Sequence, residues 1–175
     1  MRTGVALSGL IGVGKSTVEA LLRERLQLRT PNTLVTRPVE SGELSSYVHL
    51  SHEEFLRRAR AKEIALPLQF AGTWYGYEAA DWREAIASGG RGWLFNVRPY
   101  LGLILGSLMS DMRLFWLEVP EDVRLVRLRG RRAERDRNAV RAAKDREDLV
   151  YRELYDFIIS SEDAEACVER IQAHL

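Results

Sequence analysis

Short uninterrupted apolar runs and longer stretches of helical period take turns along this chain. Thr3 to Leu7 is a brief apolar run ending in glycine, as expected of a strand buried on both faces of a parallel sheet. Ser16 to about Leu28 places Val18, Leu21, Leu22 and Leu26 at helical spacing, which turns Glu19, Arg23, Glu24 and Arg25 to water. Pro31 and Asn32 stop that helix. Thr33-Leu34-Val35-Thr36 predicts a second strand, and Pro38 pushes Arg37 out of helical geometry.

Tyr47 to Leu50 suits a brief strand, and Ser51 followed three residues later by Glu54 predicts a capping box for a helix through Phe55, Leu56 and Ala59. Ile64 to Phe70 is apolar but broken by Pro67, and Gly72-Thr73-Trp74-Tyr75-Gly76-Tyr77 sets aromatics between glycines, which suggests a small sheet or lid. Asp81 to Ala87 is helical and ends at Ser88-Gly89-Gly90. Trp93 to Val97 predicts a buried strand, Tyr100 to Met109 a helix, and Leu114 to Val119 another strand, after which Pro120 opens a helix over Glu121 to Arg129. A highly charged run follows, then a charged helix from Val140 to about Tyr155, a strand at Phe157-Ile158-Ile159, and a final helix from Glu162. Strands alternating with helices imply an α/β fold, an open parallel sheet covered by helices on both faces, with ligands at the carboxyl ends of the strands.

A length of 175 residues suits one domain. A net charge of +1 leaves no global field to announce a nucleic-acid or membrane partner. Cys167 is the sole cysteine, which excludes an internal disulfide and a cysteine-based metal cluster and fits a reducing compartment. The first residues move straight into a strand and no stretch of some 18 apolar residues occurs, so a cytoplasmic location is expected.

The pattern between the first strand and first helix carries the chemistry. Gly9-Leu10-Ile11-Gly12-Val13-Gly14-Lys15-Ser16-Thr17 fits Gly, any four residues, Gly, Lys, Ser or Thr. Consecutive backbone N–H groups must curl around a phosphate there, and side chains at the glycine positions would block the approach. The helix dipole adds attraction for the anion, the Lys15 ammonium reaches the β- and γ-phosphates, and Ser16 offers its hydroxyl to Mg²⁺.

The wider set of motifs resembles the guanylate kinase family over nearly the whole chain. The features that carry the resemblance are Thr36-Arg37 with Gly42-Glu43, Tyr47, Ser51-His52-Glu53-Glu54-Phe55, Gly72-Thr73-Trp74-Tyr75-Gly76, and Arg127-Leu128-Arg129-Gly130-Arg131. The resemblance implies a P-loop fold with a core of about residues 1–36 and 78–175, an acceptor-binding lobe of about 37–77 and a lid of about 130–141. It also implies ATP and Mg²⁺, with Gly9, Gly12, Val13, Gly14, Lys15, Ser16 and Thr17 on the nucleotide. Thr33, Arg37, Tyr47 and Tyr75 then hold the acceptor, and Lys15 acts with the lid arginines Arg131 and Arg141 in catalysis. A guanidinium fork matches two phosphate oxygens, and tyrosine hydroxyls complete the donors. His49 and His52 have no third ligand in sequence reach and are read as surface or packing residues.

The acceptor end departs from the family pattern. Guanylate kinases read guanine with a carboxylate in the small lobe and another after the third strand, and those positions here are Leu66 and Arg98. The second phosphate-binding arginine of the family aligns with Glu40. The apolar Ile64-Ala65-Leu66 and the strand Phe95-Asn96 are similar to the ribose 1,5-bisphosphate kinase branch, whose acceptor has no base edge. Asn96 stands where phosphate-loop enzymes normally carry an acid near Mg²⁺, so the metal is expected on Ser16, nucleotide oxygens and water. Three readings follow: a kinase for a sugar phosphate or other non-guanine acceptor, a guanylate kinase with a remodelled base pocket, and a non-catalytic binding module. The last conflicts with the retained Lys15, Ser16 and Thr17.

Overall fold

A computed structural model describes residues 3–39, 46–129, 145 and 147–175. Two compact units divide the chain, one of Met1–Arg29 with Gly89–Leu175 and one of Thr30–Ser88.

The larger unit is built on a four-stranded sheet formed by β1 (Gly4–Ser8), β6 (Leu94–Asn96), β7 (Met112–Glu118) and β8 (Phe157–Ser160). Their spatial order is β6-β1-β7-β8 and every pair is parallel. Strand β1 sits inside the sheet and is buried along its whole length, which explains its unbroken apolar character. One sheet face carries Val5, Leu7, Leu94, Phe115, Leu117 and Ile159 into a core with Val18 and Leu22 of α1 (Lys15–Leu26). Cys167, Val168 and Ile171 of the last helix complete that core, and burial pushes the Cys167 thiol up to about 11. The opposite face carries Ala6 and Leu114, and α4 (Pro99–Leu108) packs against β1 and β7.

On that second face the Tyr155 hydroxyl lies 2.6 Å from Ser8 Oγ and 2.8 Å from the Pro99 carbonyl, while Ser8 donates to the Val97 carbonyl at 3.0 Å. A Cβ on Gly102 would meet the Tyr155 oxygen at 2.1 Å, so a glycine is needed for α4 to approach this network. The expectation of a parallel sheet with helices on both faces is met.

Helix α5 (Glu121–Arg129) has the expected bounds. The last helix, here α6 (Ala164–Gln172), starts slightly later than expected because Asp163 caps it, accepting from the amides of Glu165 and Ala166 at 2.9 and 3.1 Å. The α-helix expected to run to Tyr155 ends instead in a 3₁₀ helix at Leu149–Leu154, and most of the charged segment before it lies outside the described residues.

The smaller unit is a mixed sheet of order β3-β2-β5-β4, from β2 (Thr33–Val35), β3 (Tyr47–His49), β4 (Ile64–Phe70) and β5 (Thr73–Glu78). It also holds α2 (His52–Arg60) and α3 (Ala79–Ala87), so β2 and α3, read from sequence as core, fall in this unit. Pro67 does not end β4; the strand runs past it through a bulge between Ala65 and Leu68. One face buries Leu34, Phe55 and Ile64 with Val48 and Trp74, and the Phe55 and Trp74 rings stack at 5.8 Å.

Ser51 caps α2, its Oγ accepting from the Glu54 amide at 3.1 Å, but only half of the expected capping box forms, because the Glu54 carboxylate is held by Arg57 at 2.8 Å. Ser51→Ala is expected to cost about 1 kcal/mol, measured as a lowered urea midpoint at unchanged slope; a change below about 0.3 kcal/mol contradicts the cap's role.

Candidate active site

The chain leaves β1 in a loop that folds over the carboxyl end of the sheet. Gly9, Gly12 and Gly14 have φ of 137, 88 and 100°, values that side chains rarely tolerate. At Gly9 space forbids a side chain as well, because a Cβ would lie 2.2 Å from the Leu117 carbonyl oxygen. Gly14 then occupies the N-cap of α1 with no side-chain cap, and the first turn has no acidic residue. The Thr17 amide turns back to the Gly14 carbonyl at 3.1 Å, and the dipole of a helix start without a side-chain cap is of the kind that suits an anion. The Lys15 ammonium donates to the carbonyls of Gly9 and Leu10 at 2.7 and 2.9 Å, which holds a cation over the loop. Ser16 and Thr17 are exposed in the same turn.

Residues far away in sequence fix the loop's shape. The Val13 carbonyl accepts from Ser161 Oγ at 2.7 Å and from Arg127 at 3.0 Å. Arg127 also donates to the Ser161 and Glu162 carbonyls, tying the loop to the end of β8. Asp145 accepts from the Ile11 amide at 3.0 Å and from Arg124 at 3.1 Å, and both side chains of that ion pair are nearly buried. Arg124 is itself held by Glu121 through contacts of 2.8 Å. Burial pushes the Asp145 carboxyl above its usual range, against the opposing pull of the Ile11 amide, Lys15 and the nearby arginines.

Glu19 corrects the sequence reading. It was expected to face water, but it is 4% exposed and accepts from the Asn96 amide, Nδ2 to Oε2, at 2.9 Å. Asn96 pairs with Leu7 in the sheet, which puts it on the face covered by α1. Desolvation raises the Glu19 carboxyl above its ordinary value, and the Asn96 hydrogen bond and Arg23 only partly offset it. A carboxyl raised in this way favours folding when protonated, below about 4.5, and loses that advantage as pH rises through its folded value. At neutral pH the ionised group opposes folding.

The smaller unit carries the other residues read as site residues. Thr33 lies opposite Tyr47 in one register and Tyr77 in the other, and Val35 lies opposite Tyr75. Opposed residues share a face, so Thr33, Tyr47 and Tyr75 stand together on the side of the sheet away from Leu34 and Phe55. Arg37 is buried, donates to the Pro38 carbonyl at 2.9 Å and lies over the Tyr47 ring at 5.3 Å. His49 is hydrogen-bonded through Nδ1 to the Arg37 carbonyl at 2.8 Å. Leu66 occupies the bulge of β4 with a φ of 47°, an uncommon conformation for a bulky residue. In the larger unit Arg98 forms an ion pair with Asp148. Glu40, Gly42, Glu43, Arg131 and Arg141 lie outside the described residues.

Comparison with known proteins decides the family. A guanylate kinase of Frankia casuarinae is 32% identical over 172 residues, covering 95% of this chain and 93% of that protein. The chain belongs to the guanylate kinase family. A guanylate kinase of a Synechococcus strain is 28% identical over 180 residues, covering 98% of this chain and 81% of that protein. The crystal structure of guanylate kinase from Anaplasma phagocytophilum superposes with a TM-score of 0.71 at 21% identity, over 99% of this chain and 84% of that one, which shows a shared fold. No family model matches the chain.

Membership makes this guanylate kinase-like chain a kinase that draws on ATP and a divalent metal. Among the described residues no group of three or more His, Cys, Asp or Glu could hold a metal, and no helix is long and apolar enough to cross a membrane. Sequence reasoning missed Glu19, Arg124, Asp145 and Ser161 as parts of the site, because their partners are tertiary. Arg127 was visible only as one member of an arginine-rich motif.

Proposed function

We propose that this chain transfers the γ-phosphoryl group of ATP, with Mg²⁺, to a small phosphorylated acceptor that carries no guanine, ribose 1,5-bisphosphate being the leading example. The apolar Leu66 in the β4 bulge carries this reading, since it stands where guanylate kinases place a base-reading carboxylate. Its strand neighbours Ala65 and Leu68 are also apolar. A guanine edge left unpaired in such surroundings would cost a few kcal/mol. The other base-reading position holds Arg98, a donor already engaged with Asp148.

In this reading the amides from Gly9 to Thr17 and the Lys15 ammonium hold the triphosphate, with Gly12, Val13 and Gly14 forming the wall of the cradle. Exposed Ser16 is an oxygen donor of the kind a hard divalent cation accepts, alongside nucleotide oxygens and several waters. Bound Mg²⁺ neutralises charge on the β- and γ-oxygens. Thr33, Arg37, Tyr47 and Tyr75 take the acceptor's phosphate, and Arg131 and Arg141 supply further positive charge. Catalysis rests on alignment and charge neutralisation and needs no covalent role for the protein.

The competing reading is a guanylate kinase, transferring the same group to GMP. It is favoured by the names of the relatives, since the Frankia and Synechococcus proteins are both guanylate kinases. An ADP-release assay across nucleoside monophosphates and sugar phosphates separates the two. The proposal expects kcat/KM for ribose 1,5-bisphosphate to exceed that for GMP by roughly a hundredfold, the factor a few kcal/mol represents. Efficient GDP formation at micromolar GMP would establish the competing reading.

A further inference from the structure

We propose that Glu19, presented by Asn96, is the carboxylate that orients the water shell of the metal held at Ser16. The acid that phosphate-loop enzymes place at a strand end has, in this chain, moved onto the first helix. This rests on the phosphate-loop reading of Gly9 to Thr17 and goes beyond it in assigning a metal-positioning residue.

The placement follows from helix geometry. Ser16 and Glu19 are three residues apart on α1, where side chains neighbour each other with Cβ atoms roughly 5–6 Å apart. The two side chains therefore rise from neighbouring turns of one helix, close enough for a carboxylate to reach the water shell of a cation on the Ser16 hydroxyl. Asn96 closes the arrangement from the β6 side. Its Nδ2 is spent on Glu19 Oε2 at 2.9 Å, so it orients the carboxylate without adding charge. An aspartate at position 96 would face Glu19 with like charge, whereas the neutral amide is its complement. The pair therefore keeps a single negative charge between α1 and β6 and carries it on the helix.

The cost of this arrangement points the same way. Glu19 lies between Val18 and Leu22 among the buried residues of α1, where an apolar side chain would join the core without a desolvation penalty. Burial disfavours the ionised carboxyl, and one amide hydrogen bond only partly compensates. A hard cation that retains most of its waters and uses one carboxylate suits such a site.

Calorimetric titration of ADP into the full chain, with and without Mg²⁺, tests the assignment without relying on turnover. Glu19→Gln is isosteric and keeps an acceptor for Asn96. It is expected to bind ADP normally in the absence of metal but to lose roughly ten- to hundredfold of the Mg²⁺ dependence, the usual effect of removing a residue that orients a metal's ligands. The double variant Glu19→Gln with Asn96→Asp, which returns the charge to the strand, is expected to recover most of that dependence. Urea unfolding of Glu19→Gln at neutral pH should show stability equal to or above that of the native chain. If the native chain shows Mg²⁺-dependent binding and Glu19→Gln retains it in full, the assignment is overturned while the loop reading stands. If the native chain shows no Mg²⁺ dependence, both fall.

Discussion

Lys15→Ala is expected to lower the rate of phosphoryl transfer by at least roughly a hundred- to a thousandfold, the loss seen when one pre-aligned charge stabiliser is removed from a transition state. The ammonium sits over the loop on the Gly9 and Leu10 carbonyls, so its position is set before substrate arrives. The fold should tolerate the change. Alanine is the best helix former for the first position of α1, and the two lost bonds are partly exposed, so the stability loss should stay below about 2 kcal/mol. Steady-state kinetics beside urea unfolding checks both halves. A variant with undiminished turnover would contradict the role given to Lys15.

Gly9→Ala should produce the largest stability effect of any single methyl addition in the loop. The φ of 137° is already costly for an alanine, and the new Cβ would meet the Leu117 carbonyl oxygen at 2.2 Å. That oxygen belongs to the buried strand β7, which cannot retreat without disturbing its ladders to β1 and β8. Strain and overpacking together should cost about 3 kcal/mol or more, a fall of roughly 10 °C in Tm for a chain of this size. Nucleotide affinity should fall as well, because the loop begins at this residue. A midpoint within a degree or two of the native value would show that β7 does not restrain the loop.

How much of this could be read in advance depended on whether the physical cause was local. The phosphate loop was legible because its glycines, lysine and serine are consecutive and each answers a backbone or charge requirement of one short segment. The cap at Ser51 was legible for the same reason, since Ser51 and Glu54 meet within one turn. Strand β1 was legible because burial on both faces leaves an unbroken apolar run.

Glu19 was not legible. Helical period assigns an acid to water by default, and nothing within α1 reveals an asparagine 77 positions away. Asp145 was hidden in the same manner, as one charge in a charged run whose partners, Ile11 and Arg124, arrive from elsewhere in the chain. Pro67 misled in the opposite direction. A proline breaks an ordinary ladder, but at a bulge its missing amide has no strand partner to lose, so β4 continues through it. The 3₁₀ geometry at Leu149–Leu154 likewise replaces the longer helix that local charge pattern suggested.

The smaller unit shows what strand register adds to sequence. Thr33, Tyr47 and Tyr75 are widely spaced along the chain, and only the pairing of β2 with β3 and β5 brings them to one face. Apolar partners fill the other face, and on this side Val35 and Tyr77 are buried, Tyr77 under Trp82 of α3, while Thr33, Tyr47 and Tyr75 are only partly covered. Leu66, in the β4 bulge, is the residue on which the acceptor proposal depends.

The central claim is that the loop from Gly9 to Thr17 grips a nucleoside triphosphate. Isothermal titration of the native chain with ATP, with and without Mg²⁺, tests it most directly. Saturable uptake of one ATP per chain, tightened by the metal and lost in Lys15→Ala, is the predicted result. Well-folded protein that releases no binding heat with either ATP or ADP, whatever the Mg²⁺ concentration, would contradict it.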